Sequence, residues 1–402
     1  MKFTQNIIFI ALCAISAVAF SQGDKSTITI GKKDSLRSEI LRETRPYWRY
    51  LPPSYDDRTS GPVSYPVLYL LDGNAHFHSV TGLIDILGTG INGTFVIPEM
   101  IVVAIPNIDR TRDLTPSHST IDPQGNESPR FKSSGGGPAF LSFIKNELIP
   151  TIDKTYRTSS YRLFVGHSFG GIAVINALYT MPETFNSYLA IDPSFWWDNQ
   201  LLLKKAKEFF AQSNLQGKSL FLAQANTLPP DGKPHTHFQS IRDYVDVLKN
   251  QNSGIQWDFK YYENDTHGSV PMISEYDGLR FIFQGYSPKT FQSTSPAELK
   301  KQYETFSQRV GAKFLPPERV VFQLASVAET QKQPDVAEQY YKMNIENYPA
   351  SMNAHFSMGE FLKNKGNTTA ALPSYEQALK LAPDNEKVKA AIKTIREAGA
   401  KK

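Results

Sequence analysis

A serine set among glycines is the first candidate for chemistry in this chain. It is Ser168, in the run Gly166-His167-Ser168-Phe169-Gly170-Gly171. The run follows Arg162-Leu163-Phe164-Val165, typical of a buried strand, and precedes Ile172-Ala173-Val174-Ile175, typical of a buried helix. Strand, G-x-S-x-G and helix in this order form the nucleophile elbow of an α/β-hydrolase, where glycines leave room for a strained serine. We therefore expect Ser168 to attack an ester carbonyl and form an acyl-enzyme.

The serine hydroxyl needs a general base, and the α/β-hydrolase chain order puts that histidine after the last strand. Of the eight histidines, His267 is the one that follows the predicted final strand, and Gly268 beside it leaves room for the ring to reach Ser168. We predict His267 as the base, with an exposed loop histidine as the alternative.

The acid that orients the base is less well specified by the sequence. The position after the next-to-last strand, where an acid is expected, holds Asn226, and Asp231 lies a few residues further on. Asp192, followed by Pro193, ends the strand after the elbow helix, where some lipases of this fold carry their acid. We place Asp192 first and Asp231 second. A Ser-His dyad, with Asn226 as a neutral orienting group, is the third possibility.

An oxyanion hole requires two backbone N–H groups, one of them from the residue after the nucleophile. That residue is Phe169. The second donor is expected in the turn Asp72-Gly73-Asn74, after the strand from Tyr65 to Leu71, with Asn74 or Gly73 as the candidates.

The chemistry predicted so far needs no cofactor, and we predict no metal. His76 and His78 have an H-x-H spacing, but no cluster of carboxylates accompanies them, so pocket lining or surface exposure is the interpretation. His235 and His237 are interpreted as the start of a helix.

Strands and helices alternate from about residue 45, the pattern of a mostly parallel sheet flanked by helices. The predicted strands are Pro46 to Leu51, Tyr65 to Leu71, Met100 to Ile105, Tyr161 to Val165, Ser187 to Ile191, Lys218 to Ala223 and Gln256 to Tyr262. The predicted helices are Pro138 to Ile152, Gly170 to Tyr179, Gln200 to Gln212, Phe238 to Asn250 and Val270 to Phe283. Ser26 to Leu41 is expected to be an antiparallel edge pair, and residues 107–137 a long loop, disordered or functional.

The C-terminal part contains a repeat. Three of its residues recur 34 positions later, which is the period of tetratricopeptide helical hairpins. They are Ala337, Tyr341 and Pro349, repeated as Ala371, Tyr375 and Pro383. We predict an α/β-hydrolase domain over residues 21–287 and a small all-α tetratricopeptide-like domain over residues 288–402, whose first helix, Pro296 to Val310, caps the repeats against the hydrolase domain.

The N-terminus resembles an export signal. Lys2 precedes an apolar stretch from Ile7 to Phe20 with a small-x-small site, so residues 1–20 are predicted to be a signal peptide. The stretch has about 14 residues, whereas a spanning helix needs about 20, so we expect no membrane span after cleavage. Cleavage would remove the sole cysteine, Cys13, which favours a bacterial periplasm. A formal net charge of +4 without a basic block speaks against nucleic acid as a partner.

Several segments together resemble the periplasmic esterases that hydrolyse catecholate siderophore trilactones, within the esterase-D-like group that also includes acetyl and feruloyl esterases. The resemblance spans about residues 28–285 and rests on Tyr50 to Tyr55, Tyr65 to Gly73, Asp109 to Pro116, Gly166 to Gly171 and Asp192 to Trp197. It implies that an arginine of the third segment, Arg112, contacts an anionic ligand. The chain departs from the group in carrying Asp192 where serine is common, and in its repeats.

The substrate is expected to be a small ester, anionic or phenolic. Besides Arg112, three more cations lie in the long loop after the Met100 to Ile105 strand, and Trp196 and Trp197 follow the strand beyond Ser168. Such groups suit catecholates or phenolic esters, and a solvated loop beside two core tryptophans is the alternative. A siderophore trilactone, an acetyl or feruloyl ester of a polysaccharide, or ligand binding without catalysis are the functions left open. The repeats suggest a protein partner.

Overall fold

The computed structural model describes residues 27–57, 59–90, 93, 95–288, 290 and 293–400. Gly31–Lys402 forms one compact unit. The predicted signal peptide lies outside the described residues.

An eight-stranded sheet is the centre of the catalytic half, with strand order β1-β2-β4-β3-β5-β6-β7-β8. The strands are β1 Lys32–Ser38, β2 Glu43–Tyr50, β3 Tyr65–Leu70, β4 Ile101–Ala104, β5 Thr158–His167, β6 Ser187–Ile191, β7 Ser219–Ala225 and β8 Gln256–Tyr262. Strand β2 pairs antiparallel with β1 on one side and with β4 on the other, and all other pairs are parallel. The middle strands are short apolar runs buried on both sides, as parallel strands between helices must be.

Helices cover both faces of the sheet and form the C-terminal repeats. They are α1 Gly73–Gly88, α2 Arg110–Leu114, α3 Gly137–Phe143, α4 Ile149–Thr155, α5 Phe169–Thr180, α6 Trp197–Gln212, α7 Thr236–Lys249, α8 Val270–Ile282, α9 Pro296–Val310, α10 Glu318–Thr330, α11 Pro334–Asn347, α12 Met352–Asn364, α13 Thr368–Leu381 and α14 Glu386–Ala400. Helices α3 to α7 pack on one face, and α1 and α8 on the other. No helix among the described ranges has the length and apolarity that a membrane crossing demands.

Three elements differ from the sequence-based expectation. Within Ser26 to Leu41 the described residues form a single strand, β1, which pairs with β2 instead of forming its own hairpin. Helix α1, which begins within the predicted oxyanion turn, was not predicted. The loop 107–137 is ordered: it contains α2, a short 3₁₀ turn at Pro129–Phe131 and a bridge between Ile121 and Glu127.

The repeat helices pack as the 34-residue pattern indicates. Ala337, Tyr341, Ala371 and Tyr375 are all buried in the second helices of the two hairpins, α11 and α13. Gly359 in α12 is required sterically, because a Cβ there would lie 2.7 Å from the Tyr375 ring. Small and aromatic positions therefore set the distance between paired helices.

The repeat helices pack directly against the sheet and its helices, and are not connected to them only through a linker. Apolar side chains of α9, α10 and α11 belong to the same core as α1, α8 and one sheet face. Asn186, just before β6, donates to the carbonyls of Val310 and Gly311, and Arg309 donates to Gln256 at the start of β8. These contacts lie at the amino ends of the parallel strands.

Candidate active site

The candidate nucleophile lies at the tip of a strained turn. Ser168 joins β5 to α5 with φ 60° and ψ −114°, a conformation that side-chain-bearing residues rarely adopt. The glycines around it are sterically necessary: a Cβ on Gly166 would lie 2.4 Å from the Gly170 carbonyl oxygen, and one on Gly171 would lie 2.9 Å from Pro193 Cα. The turn therefore has the geometry of a nucleophile elbow.

The predicted base and the first-ranked acid are hydrogen-bonded. His267, in the loop after β8, has Nδ1 2.5 Å from Asp192 Oδ2. Asp192 follows β6, has φ 40°, and is completely buried. Its Oδ1 accepts the Ala225 N–H at 3.0 Å, and its Oδ2 is also 3.1 Å from Nε2 of His237. Burial raises the pKa of this carboxyl, but the hydrogen bonds from His237 and His267 outweigh burial and hold the pKa below its ordinary value. The site therefore contains a carboxylate.

The other two possibilities for the acid have different partners. Asp231 is exposed, and its Oδ1 accepts the N–H of Lys233 in its own turn. The Asn226 amide donates to the carbonyl of Glu263. Neither side chain is hydrogen-bonded to His267, so the geometry favours Asp192.

The hydroxyl of Ser168 is hydrogen-bonded to Ser194 Oγ at 3.2 Å, and in the described part of the chain it is not bonded to His267. The His267 ring packs on His167, the neighbour of the nucleophile, with 4.5 Å between ring centroids. Catalytic hydrogen bonds are often long in unliganded enzymes and shorten when substrate binds. The Ser168–His267 hydrogen bond stays a prediction.

The two backbone N–H groups best suited to an oxyanion belong to Phe169 and Asn74. Each is the N–H of a first-turn residue, in α5 and α1 respectively, and neither is donated to a carbonyl or side chain among the described residues. The N–H of Gly73, by contrast, donates to Ile105 O at 3.1 Å. Gly73 is needed for space, since its Cβ would lie 2.8 Å from Ala104 Cβ. Of the two candidates in this turn, the geometry favours Asn74.

The arginine beside the site is Arg110, which corrects the assignment to Arg112. Arg110 donates to both carboxylate oxygens of Asp72, at 2.6 and 3.0 Å, and lies over the Phe169 ring at 5.4 Å. Burial raises the pKa of Asp72, but the hydrogen bond from Arg110 outweighs it and the pKa is lowered. About a third of the Arg110 side chain is exposed.

The guanidinium of Arg112 is bound by carboxylates of β2 and α2. It donates to Glu43 at 2.6 and 3.1 Å and to Asp113 at 2.7 Å, so its charge is neutralised by two carboxylates. Arg112 therefore stabilises the contact between α2 and β2, and the sequence did not distinguish it from Arg110, two residues earlier.

The tryptophan pair divides into a surface residue and a core residue. Trp197 is 2% exposed and donates its indole N–H to Ser117 O, so the expectation that it contacts substrate is wrong. Trp196 is half-buried and packs on Phe131 and Phe169, with ring centroids 6.0 and 5.8 Å away. Phe131 comes from the long loop and was missed, because a lone loop aromatic has no sequence signal of its own.

A metal ion fits the site poorly. Asp192, His237 and His267 have ligand atoms within 4.8 Å of one another. Two ligands of one zinc ion, each about 2.0 Å from it in a tetrahedral arrangement, lie about 3.3 Å apart. The 2.5 Å between His267 Nδ1 and Asp192 Oδ2 is instead a hydrogen-bond distance. Of the H-x-H pair, His76 Nδ1 lies 3.7 Å from Glu275, and His78 is exposed.

A comparison with protein families identifies the catalytic half. The family model for esterases matches residues 38–278, which is more than half of the chain. The chain belongs to this esterase family. A tetratricopeptide repeat model matches residues 353–385 of the esterase, within the predicted repeat domain.

Individual relatives agree with this assignment. The ferri-bacillibactin esterase BesA of Bacillus subtilis is 29% identical over 276 residues, covering 66% of this chain and 94% of the relative. A siderophore enterobactin esterase of Emericella nidulans is 34% identical over 162 residues, covering 37% and 52%. The crystal structure of an IroE-like serine hydrolase from Shewanella oneidensis superposes with a TM-score of 0.72 at 34% identity, covering 79% of this chain and 99% of that one. The α/β-hydrolase fold and the serine-hydrolase type of esterase are thereby confirmed.

Proposed function

We propose that the chain hydrolyses carboxylic esters through an acyl-enzyme on Ser168, with His267 as base and Asp192 as the acid that orients it. The observation that carries this proposal is the 2.5 Å contact between Asp192 and His267, beside a serine held at φ 60°. Asn226, at the position where an acid is expected, would favour a protein that binds without catalysis, whereas this contact supplies an acid from another strand and supports catalysis.

In the proposed reaction Ser168 loses its proton to His267 Nε2 as its oxygen attacks the ester carbonyl. The carbonyl oxygen becomes an oxyanion and accepts the N–H groups of Phe169 and Asn74. The ionised Asp192 stabilises the imidazolium, which then gives its proton to the departing alcohol. Water, deprotonated by the same histidine, attacks the acyl group and frees Ser168.

For the substrate we propose a catecholate siderophore trilactone. The two curated relatives above are named for ferri-bacillibactin and siderophore enterobactin hydrolysis. Beside Ser168 the guanidinium of Arg110, paired with Asp72 and about a third exposed, offers N–H donors, and Trp196 and Phe131 offer aromatic faces. A cation beside aromatic rings suits an anionic catechol, by charge and by stacking.

The test compares esters on purified protein. Wild type is expected to hydrolyse p-nitrophenyl butyrate and an iron-free enterobactin-type trilactone, with a higher kcat/KM for the trilactone. Ser168→Ala is expected to lose both activities and its labelling by a fluorophosphonate, whereas Ser213→Ala, at the far end of α6, is expected to keep them. Turnover by Ser168→Ala would refute the mechanism. A preference for feruloyl or acetyl sugar esters would refute the siderophore assignment alone.

We also propose export to a bacterial periplasm, because Lys2 and the apolar stretch Ile7 to Phe20 have the composition of a signal peptide. N-terminal sequencing of protein from a periplasmic fraction is expected to begin near Phe20 or Ser21. Recovery of intact protein in the cytoplasmic fraction would contradict export.

A further inference from the structure

A second histidine contacts the proposed acid at the same carboxylate oxygen as the base. His237 lies in the first turn of α7, and its Nε2 is 3.1 Å from Asp192 Oδ2, the oxygen that also accepts His267 Nδ1. Its side chain is nearly buried, and its ring meets the His267 ring edge-on, at 5.4 Å and 87°. The Ser-His-Asp reaction described above needs only one histidine, so this contact has no role in it.

The protonation of His237 follows from its surroundings. Its Nδ1 is buried and has no hydrogen-bond partner in the described structure, so a proton there would be desolvated without compensation. With a proton on Nε2 the ring donates to Asp192 and leaves the unpartnered Nδ1 as a lone pair. The carboxylate then has three donors: His267 and His237 on Oδ2, and the Ala225 N–H on Oδ1.

The position of α7 adds to this arrangement. His237 is the second residue of the helix, so the positive end of the helix dipole lies near the negative charge of Asp192. The histidine that precedes the helix, His235, stacks on His237 with ring centroids 6.0 Å apart. His235 itself bonds Thr227 O and the N–H of Phe238, and no hydrogen bond links it to Asp192.

We propose that His237 is a positioning residue for ester hydrolysis: its Nε2–H fixes the orientation of the Asp192 carboxylate so that Oδ2 stays directed at His267. The proposal rests on the proposed function, because it assigns His237 a role through the acid of that mechanism. The hydrogen bond of His237 goes to Asp192, so His237 acts on the reaction through the acid and not by taking a proton itself.

Loss of this donor has two expected consequences. The carboxylate gains freedom to rotate, so kcat falls about tenfold while KM is unchanged, as expected for one hydrogen bond to a charged group. The hydrogen bond from His237 is also one of the causes that lower the pKa of Asp192. Without it the pKa of that carboxyl is lowered less strongly. The titratable side chains facing His237 are Asp192, His267 and His235.

The test uses two replacements of His237 and one of its partner. His237→Leu removes the donor and keeps an apolar side chain, whereas His237→Gln offers an amide N–H near the position of Nε2. Each is made in wild type and in Asp192→Asn, and kcat and KM are measured with p-nitrophenyl butyrate. His235→Ala, two residues earlier, is the matched control for loss of a histidine at this helix start, and its kcat is expected to equal that of wild type.

The expected result is a tenfold lower kcat with unchanged KM in His237→Leu, and a kcat largely restored in His237→Gln. In the Asp192→Asn background, His237→Leu is expected to cause no further loss. Equal losses in both backgrounds, or no recovery of kcat in His237→Gln, would show that His237 serves stability only. If Ser168→Ala abolishes turnover but His237→Leu behaves as wild type, this inference fails and the proposed function stands.

Discussion

Replacement of Asp192 by asparagine is expected to lower kcat about 10⁴-fold at neutral pH, equivalent to about 5.5 kcal/mol. The structure gives the reason, because three N–H donors converge on two carboxylate oxygens, whereas an amide has only one oxygen. If the amide oxygen faces the histidines, its NH₂ opposes the Ala225 N–H, which now donates to Oδ1 at 3.0 Å. A buried donor left unpaired in this way costs about 1–3 kcal/mol.

The other orientation of the amide explains the larger effect on rate. Its NH₂ would then face His267 and donate to Nδ1, which forces the ring proton onto Nε2. A histidine protonated on Nε2 cannot accept the proton of Ser168, so the general base is lost while the fold is kept. The loss should therefore appear in kcat, with KM little changed.

The assay is hydrolysis of p-nitrophenyl butyrate over a pH series, with circular dichroism to check the fold. Asp231→Asn is the matched control, since Asp231 is an exposed aspartate whose Oδ1 accepts an N–H in its own turn, and it is expected to match wild type. A folded Asp192→Asn variant with kcat within threefold of wild type would refute the reasoning, and a large loss in Asp231→Asn would return the acid to that residue.

Three further outcomes are expected. Arg112→Met should lower the free energy of unfolding in urea by about 1–2 kcal/mol, because the carboxylates of Glu43 and Asp113 lose a partner. The same variant should leave KM for the trilactone unchanged, and a raised KM would restore Arg112 as a ligand contact. Gly359→Ala should lower stability by about 1–3 kcal/mol in thermal melts, since its Cβ would lie 2.7 Å from the Tyr375 ring, and an unaltered Tm would contradict that packing. Burial raises the pKa of Glu275 from 4.5 to about 8, so folding takes up a proton between these values and stability falls as pH rises through them. Glu275→Gln should therefore have a higher Tm than wild type at pH 8 and the same Tm at pH 4; equal Tm values at both would contradict this.

The elbow was predictable because its signal is contiguous: strand, glycines, serine and helix follow one another in the chain. The same holds for the repeats, whose positions recur at a fixed interval. Helix α1 was missed because it contains Gly73, Gly82 and Gly88, which disfavour a helix in isolation, and tertiary packing overrides that preference.

The partners of the site depend on contacts that the sequence does not contain. The identity of the acid could not be decided from the sequence, because Asp192 and His267 are 75 residues apart in the chain. They meet only because the chain makes a left-handed turn at Asp192, after β6. The contact of His237 was hidden for the same reason, although the helix start itself was predicted. Arg110 and Arg112 were confused because residues two apart on a helix point in different directions, and the sequence does not say which faces the site.

The repeats are attached at the amino ends of the strands. This position determines where a binding partner or a solid support can contact the esterase without covering its active site. Ser168 and His267 follow the carboxyl ends of the strands, so the substrate enters from the edge of the sheet away from α9 and the helices after it. A macromolecule that binds the helical hairpins therefore contacts the end of the sheet opposite the active site. The active site then stays accessible to substrate. Immobilisation through the C-terminal helices should accordingly give a surface-bound catalyst whose KM for large esters equals that in free solution.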